Sequence, residues 1–423
     1  MVSSIEKFYG WKALTGAMLV YFCGCACCFY SIGVFIPLLY EELNSSLAVV
    51  AGVITMFMVL MGLVGPLIGI SIDKFGARKN IIYGNLVSAL GLAGMYFINQ
   101  AWQLYLLFGV IVALGQGFGM FVPATTLANN WFIKKRSLAV ALIVASGSIG
   151  GFVGPSVTRI FISNLGWRLS WVCLSGILVV ISVIIGGMLI RNRPEDLGQA
   201  PDGKTDEDAQ ESESTDVPST RVYQTPVDWE TGDALRTPVI WMLVAAFITH
   251  MFALNTMIGH LVFYLEKDLG FTKALAAFVF GLIPGMSIVG RLSMGFLAMR
   301  YELRYIVSIC LGLMVVGMSI LMTNTSLSMI YVFAVLFGIS YGAIIPALPS
   351  FIGAYYGREN FAKILGWLLP ITTIFGASSA PLAGMAREAS GSYIPWFTFV
   401  AILLAGGGVL AFMARPPKPN KIT

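Results

Sequence analysis

The chain has 423 residues, 57% of them hydrophobic and only 11% charged, with a mean hydropathy of +0.82. Soluble domains carry about 25% charged residues, so a water-soluble globular protein is excluded and the membrane class is set before any motif is read. The net charge of +5 is no nucleic-acid signal, because the basic residues sit in short loops between apolar segments.

Apolar windows of about 20 residues, enough to cross a bilayer as a helix, fall near 12–38, 47–72, 80–98, 102–128, 137–163 and 168–190. After a polar break they resume near 238–264, 274–299, 304–323, 327–354, 362–385 and 393–413, twelve in all. No small-residue cleavage site follows the first window, which predicts a retained helix rather than a signal peptide. That window holds four of the six cysteines, Cys23, Cys25, Cys27 and Cys28. With no histidine near them, they are expected to serve as small residues at a helix contact and not as a metal site. Cys173 and Cys310 stand alone, so no disulfide framework is implied. Trp102, Trp167, Trp241 and Trp396 lie near window ends and are expected to be membrane-interface anchors.

Residues 192–236 form the long polar segment. Its middle, Asp202 through Asp216, is acidic and rich in Ser and Thr, with too little apolar area to fold alone. It divides the chain into a six-helix bundle (1–191), a cytoplasmic acidic linker (192–236) and a second six-helix bundle (237–423). Of the 26 Lys and Arg, the second side of the membrane receives only Arg159, Arg168, Lys267, Lys273 and Arg387, and Arg291 lies within a span. The rest fall on the side that holds both termini and the linker, which the positive-inside rule makes cytoplasmic.

The halves repeat. Gly115, Gly119, Pro123 and Ala124 recur as Gly338, Gly342, Pro346 and Ala347, an offset of 223. Gly69 and Lys74 recur as Gly295 and Arg300, and Gly150 and Pro155 as Gly376 and Pro381, both at 226. Repeated six-helix halves predict a substrate site near the midplane and alternating access by rocking. In that register Arg291 stands where the first half has Gly65, so the site is asymmetric.

Arg291 is the strongest single residue in the sequence. A guanidinium at membrane depth costs about 2.5–3.5 kcal/mol even on lenient insertion scales. Helical spacing places Pro284, Ser287, Ile288 and Gly295 on its face, a surface suited to an aqueous cavity. The alternative, a structural ion pair, lacks an Asp or Glu inside any other span. Arg291 is therefore the expected anchor for an anionic substrate. Around it, His250, Asn255 and Tyr341 are candidate polar ligands, and Phe121 and Tyr30 candidate apolar walls. His250, mid-span, and His260, nearer the outer side, are the residues able to carry a proton, against the plainer role of helix–helix hydrogen bonding.

Between the second and third spans reads Gly69-Ile70-Ser71-Ile72-Asp73-Lys74-Phe75-Gly76-Ala77-Arg78-Lys79. It resembles the major facilitator signature, with one residue inserted before the basic pair. The resemblance implies that Asp73, with Lys74 and Arg78, takes part in holding one conformer shut; the simpler reading is a topogenic loop. The stretch Asn130 through Ala139, continuing to Gly150-Gly151, is similar to the fifth-helix signature of monocarboxylate transporters, and Tyr9-Gly10-Trp11 to the short motif before their first helix. Gly232-Asp233-Ala234-Leu235-Arg236-Thr237-Pro238, leading into Trp241, resembles the seventh-helix entry of bacterial oxalate/formate antiporters. In that group an eighth-helix arginine binds the substrate carboxylate, and Arg291 matches its position.

The departures shape what is expected. Where mammalian members pair the arginine with an aspartate one turn earlier, this chain has Ser287, which becomes a candidate substrate contact. Their first-helix lysine has no counterpart in Cys28-Phe29-Tyr30-Ser31, and Ile364 to Ala386 lacks the second buried cation of oxalate exchangers. One buried cation suits one carboxylate.

Together these features predict an all-α, twelve-helix protein of the cell membrane (the inner membrane in a bacterium). It would work as a monomer, moving lactate- or pyruvate-like monocarboxylates by proton symport. No cofactor or metal is expected, only the proton as coupling ion. No nucleophile–base pair, metal-ligand spacing or phosphate loop points to an enzyme. Electroneutral carboxylate exchange is the alternative, and a non-transporting sensor signalling through the linker is a more distant one.

Overall fold

The computed structural model describes residues 8–203, 222–323 and 326–418, without the side chains of residues 47, 48 and 51. The acidic stretch from 204 to 216, and Lys7, Lys204, Arg221 and Lys421 of the charge reading, lie outside the described residues. Among those described, nine helices are long and apolar enough to cross a membrane, ten with one bent pair. In chain order α1 is Gly10–Glu42 and α2 the bent pair Gly52–Leu63 and Gly65–Phe75, turned by 50°. Pro66 opens the second arm, where its missing N–H and fixed φ are tolerated. α3 is Ala77–Gly94, more polar than its neighbours through Arg78, Lys79, Asn80 and Asn85, and α4 is Ala101–Trp131.

The longest apolar stretch, Arg136–Leu189, is two helices. Gly166 breaks it with φ 77 and ψ 164, a conformation that a residue lacking a Cβ adopts without strain. We number residues 136–165 α5 and 167–189 α6. Then follow α7 (Pro238–Asp268), α8 (Lys273–Leu297), α9 (Leu303–Thr323), α10 (Leu327–Tyr356), α11 (Phe361–Ser390) and α12 (Ile394–Met413). So numbered, the helices of the described residues fall at the positions of the twelve apolar windows, although α3 is too polar to count as a span by composition.

The helices form two compact units: Met1–Ser219 with Phe361–Pro370, and Thr220–Asn360 with Ile371–Thr423. In the first, Phe35 stacks on Trp171 at 3.7 Å, with Phe57 and Phe108 packed around them. Small residues let backbones approach: a Cβ at Gly150 or Gly154 of α5 would strike the α1 backbone at Phe22 and Ala26. The four clustered cysteines belong to this same α1 region. Cys23 Sγ lies 3.8 Å from Cys27 Sγ, and none of the six cysteines forms a disulfide among the described residues. In this unit, too, the first turns of α11 pack on the second arm of α2, where a Cβ on Gly69 would lie 2.8 Å from Lys363 Cα. Lys363 Nζ reaches Asp73 Oδ2 at 2.8 Å.

The described ends of the linker are docked, each on its own unit. Asp202 accepts from the backbone N–H groups of Ile133 (3.1 Å) and Lys134 (2.8 Å), just past α4. Asp228 accepts from those of Arg358 and Glu359, just past α10, where Gly357 has φ +92. Local carboxylate caps thus satisfy backbone donors that no helix reaches. One expectation is corrected. Trp396 is no interface anchor: it is 9% exposed and its indole donates to Thr256 Oγ1 at 3.2 Å, because α12 turns it onto α7. Trp102 and Trp241 are exposed, 60% and 45%, as anchors are.

Candidate functional site

In the second unit α8 and α10 cross at van der Waals closeness. A Cβ on Gly290 would collide with the Ile339 carbonyl oxygen, one on Gly342 with Ser287, and one on Gly338 would lie 2.7 Å from the Ile283 carbonyl oxygen. Three missing side chains therefore bring the two backbones together and fix the register between position 291 on one helix and 341 on the other. Arg291 is 4% exposed, and its Nη2 donates to Tyr341 Oη at 3.3 Å. The guanidinium carbon also stands 5.8 Å from the Tyr341 ring centre.

α7 supplies the layer behind the tyrosine. His250 is fully buried and lies nearly parallel to the Tyr341 ring, 5.9 Å between centres at 16°. Phe247, one turn earlier, packs against it with the rings tilted by 47° and their centres 5.6 Å apart. Neither ring nitrogen of His250 has a hydrogen-bond partner among the described residues. A buried ring with both nitrogens open retains hydrogen-bonding capacity that water, a proton or a ligand can take up.

The structure brings Arg291, Tyr341 and His250 together. Ser287 is buried beneath Gly342, and its hydroxyl donates back to the Pro284 carbonyl at 2.7 Å. Asn255 donates to the carbonyl of Met251 on its own helix, 2.9 Å away. Phe121 and Tyr30 belong to the first unit, where Phe121 lies 6.2 Å from Tyr21, and Tyr30 packs on Phe29 and faces Gly151. Of the signature residues, Asp73 pairs with Lys363, and Lys74 lies over the Phe75 ring. Arg78 donates from Nε to the Gly187 carbonyl, while its backbone N–H donates to Asn192.

His260 stands apart from Arg291. The Ala380 carbonyl can only accept, so Nε2–H donates to it (2.8 Å), and Nδ1 lies 2.8 Å from Tyr393 Oη, which can donate or accept. This histidine is already a two-sided structural bridge. Two residues escaped sequence reasoning. Phe247 is one turn from His250 on a helical spacing that marked it as a neighbour. Ser340, fully buried with a hydroxyl that has no partner among the described residues, gave no signal among the small residues of α10.

Among the described residues, nine helices apolar enough to cross a bilayer, ten with the bent pair, together with a buried arginine, mark a multi-pass membrane protein. The family model described as Major Facilitator Superfamily matches residues 17–303 and 286–423, and the chain belongs to that superfamily. It is 26% identical over 96% of its length to the MFS transporter asaE of Aspergillus flavus, covering 86% of that protein. It is 25% identical over 94% of its length to monocarboxylate transporter 1 of Rattus norvegicus (83% covered), and 24% over 99% to monocarboxylate transporter 4 of Gallus gallus (87% covered). Among solved structures, it matches the transporter FucP in the outward conformation with a TM-score of 0.71 at 16% identity. That match covers 96% of this chain and 99% of FucP. At these identities the structural likeness carries the fold alone.

Proposed function

We propose that the protein carries small monocarboxylates, lactate- or pyruvate-like, by proton-coupled symport, with Arg291 binding the substrate carboxylate. The observation that carries this reading is the buried Arg291 guanidinium within hydrogen-bond reach of Tyr341 Oη, with the open ring of His250 behind it. Relatives named monocarboxylate transporters, matched along nearly the whole chain, support the substrate class.

The chemistry follows from the groups present. A guanidinium offers two parallel N–H donors that match the two oxygens of a carboxylate. Tyr341 accepts from Arg291, which leaves its own O–H to donate to the carboxylate or to the hydroxyl or keto oxygen beside it. An anion there offsets the charge of the buried cation, so the loaded site is less costly to enclose than the empty one. His250 is the neighbouring group that can take a proton as the anion arrives or leaves. Asp73, with Lys363 as its partner and Lys74 and Arg78 beside it, holds one conformer of the cycle.

Proteoliposomes test the reading. An imposed inward proton gradient should drive lactate uptake into vesicles with no internal anion, and Arg291→Lys should abolish it while the protein still inserts. A strict need for internal carboxylate would favour exchange. Full uptake by the lysine variant would remove the role of Arg291.

A further inference from the structure

The signature loop opens a second site that the transport reading does not use. On the first unit, α2, α3 and α4 enclose a groove of about 460 Å³, within the range of about 300–1,000 Å³ for small-ligand pockets. Each wall is a stripe of residues four apart, hence on one helix face: Ser71 and Phe75, then Lys79, Tyr83 and Val87, then Leu114 and Phe118. Its floor is Gly84 and Gly115, where the backbones of α3 and α4 meet without side chains. Phe75, Tyr83 and Val87 are 50%, 64% and 41% exposed, so the groove is open along its outer side.

The charges at its rim are not equivalent. Arg78 is committed to Gly187, and Lys74 lies over Phe75. The Lys79 side chain is exposed and makes no ion pair or hydrogen bond with the described residues. Ser71 and Asn80 are hydrogen-bonded to each other at 2.7 Å, which leaves Lys79 as the cation available at the mouth. From Lys79 to Val87 the helix rises about 12 Å, close to the half-thickness of a hydrocarbon core of about 30 Å. Lys79 stands at the end of α3 that the Lys/Arg distribution assigns to the cytoplasmic leaflet, where anionic lipids collect.

We propose that this groove is a binding site for one anionic phospholipid. Its phosphate pairs with Lys79, and an acyl chain lies along Tyr83, Val87, Leu114 and Phe118. An apolar trough one leaflet deep, capped by an unpaired ammonium, matches a molecule with an anionic head and a hydrocarbon tail. A soluble anion would leave the trough unfilled.

Purified protein in detergent is titrated with dioleoylphosphatidylglycerol, dioleoylphosphatidylcholine and the chain-free headgroup glycerophosphoglycerol, reading bound lipid by native mass spectrometry and Tm in parallel. Phosphatidylglycerol should bind most tightly and raise Tm, and the headgroup alone should do neither. Lys79→Gln should weaken phosphatidylglycerol roughly fivefold, one lysine's share of attraction to an anionic lipid, and bring it level with phosphatidylcholine; Lys79→Arg should restore the preference. Val87→Trp, which fills the trough from its exposed side, should lose the bound lipid with Lys79 still in place. Equal affinity for both lipids in the wild type, unchanged binding in Lys79→Gln or in Val87→Trp, or saturation by the headgroup alone would each overturn the proposal.

Discussion

Two helix crossings, one in each unit, use repeat-related glycines for different ends. Gly115 and Gly119 of α4 meet α3 at Gly84, Asn85 and Ser88, whereas their counterparts Gly338 and Gly342 of α10 meet α8 at Ile283 and Ser287. In the first unit the polar groups beside the crossing largely satisfy one another. Gln116 donates to Ser88 at 3.0 Å, and Asn85 donates to the carbonyls of Ile81 (2.9 Å) and Gly119 (3.0 Å). In the second unit the neighbouring groups are a cation, a phenol and an imidazole whose nitrogens have no hydrogen-bond partner among the described residues. The same packing device builds a hydrogen-bonded amide network on one side and a charged site on the other.

The sharpest way to break this contrast is to neutralise each crossing. Arg291→Gln should reduce lactate uptake by roughly a hundredfold or more, the scale of truncating one partner of a desolvated charge contact. Gln116→Leu should leave uptake within about threefold, since a single membrane hydrogen bond averages about 0.6 kcal/mol. Comparable losses in both variants would erase the distinction. Filling the crossing is next in size. Gly290→Ala drives a methyl into the Ile339 carbonyl oxygen and should cost about 1–3 kcal/mol by overpacking, seen as a lower Tm and lower uptake together. Tyr341→Phe should raise KM several-fold, about the 0.6–1.7 kcal/mol range of such bonds, with folding unchanged. Asp73→Asn should be the smallest in stability. Its pair with Lys363 is partly exposed, 48% and 29% for the two side chains, so loss of the pair should shift stability by less than about 1 kcal/mol. A clear change in transport rate at unchanged Tm would locate its effect in the conformational cycle.

Much of this was legible in the sequence because membrane depth penalises charge and loops so strongly. Apolar windows marked the spans, and Arg291 was conspicuous as a cation among them. Gly338 and Gly342 could be matched to Gly115 and Gly119 by offset, but sequence spacing does not say which helix a glycine faces, so the different partners were invisible. Lys363 read as one more topogenic charge, because its approach to Asp73 depends on how the first turns of α11 pack. Trp396 looked like an anchor by position alone; the rotation of α12 that buries it against Thr256 is a packing result. Asp202 and Asp228 were hidden for another reason. A carboxylate that caps backbone donors in a distant loop has the same local sequence as one dissolved in water.

The most direct measurement is equilibrium binding of lactate and of its uncharged analogue lactamide to purified wild type and Arg291→Gln. With Arg291 as the carboxylate anchor, wild type binds lactate and discriminates against lactamide by roughly tenfold or more, one charge-assisted contact's worth, and the variant binds the two alike. A variant that still prefers lactate to the same degree would mean that some other group holds the anion.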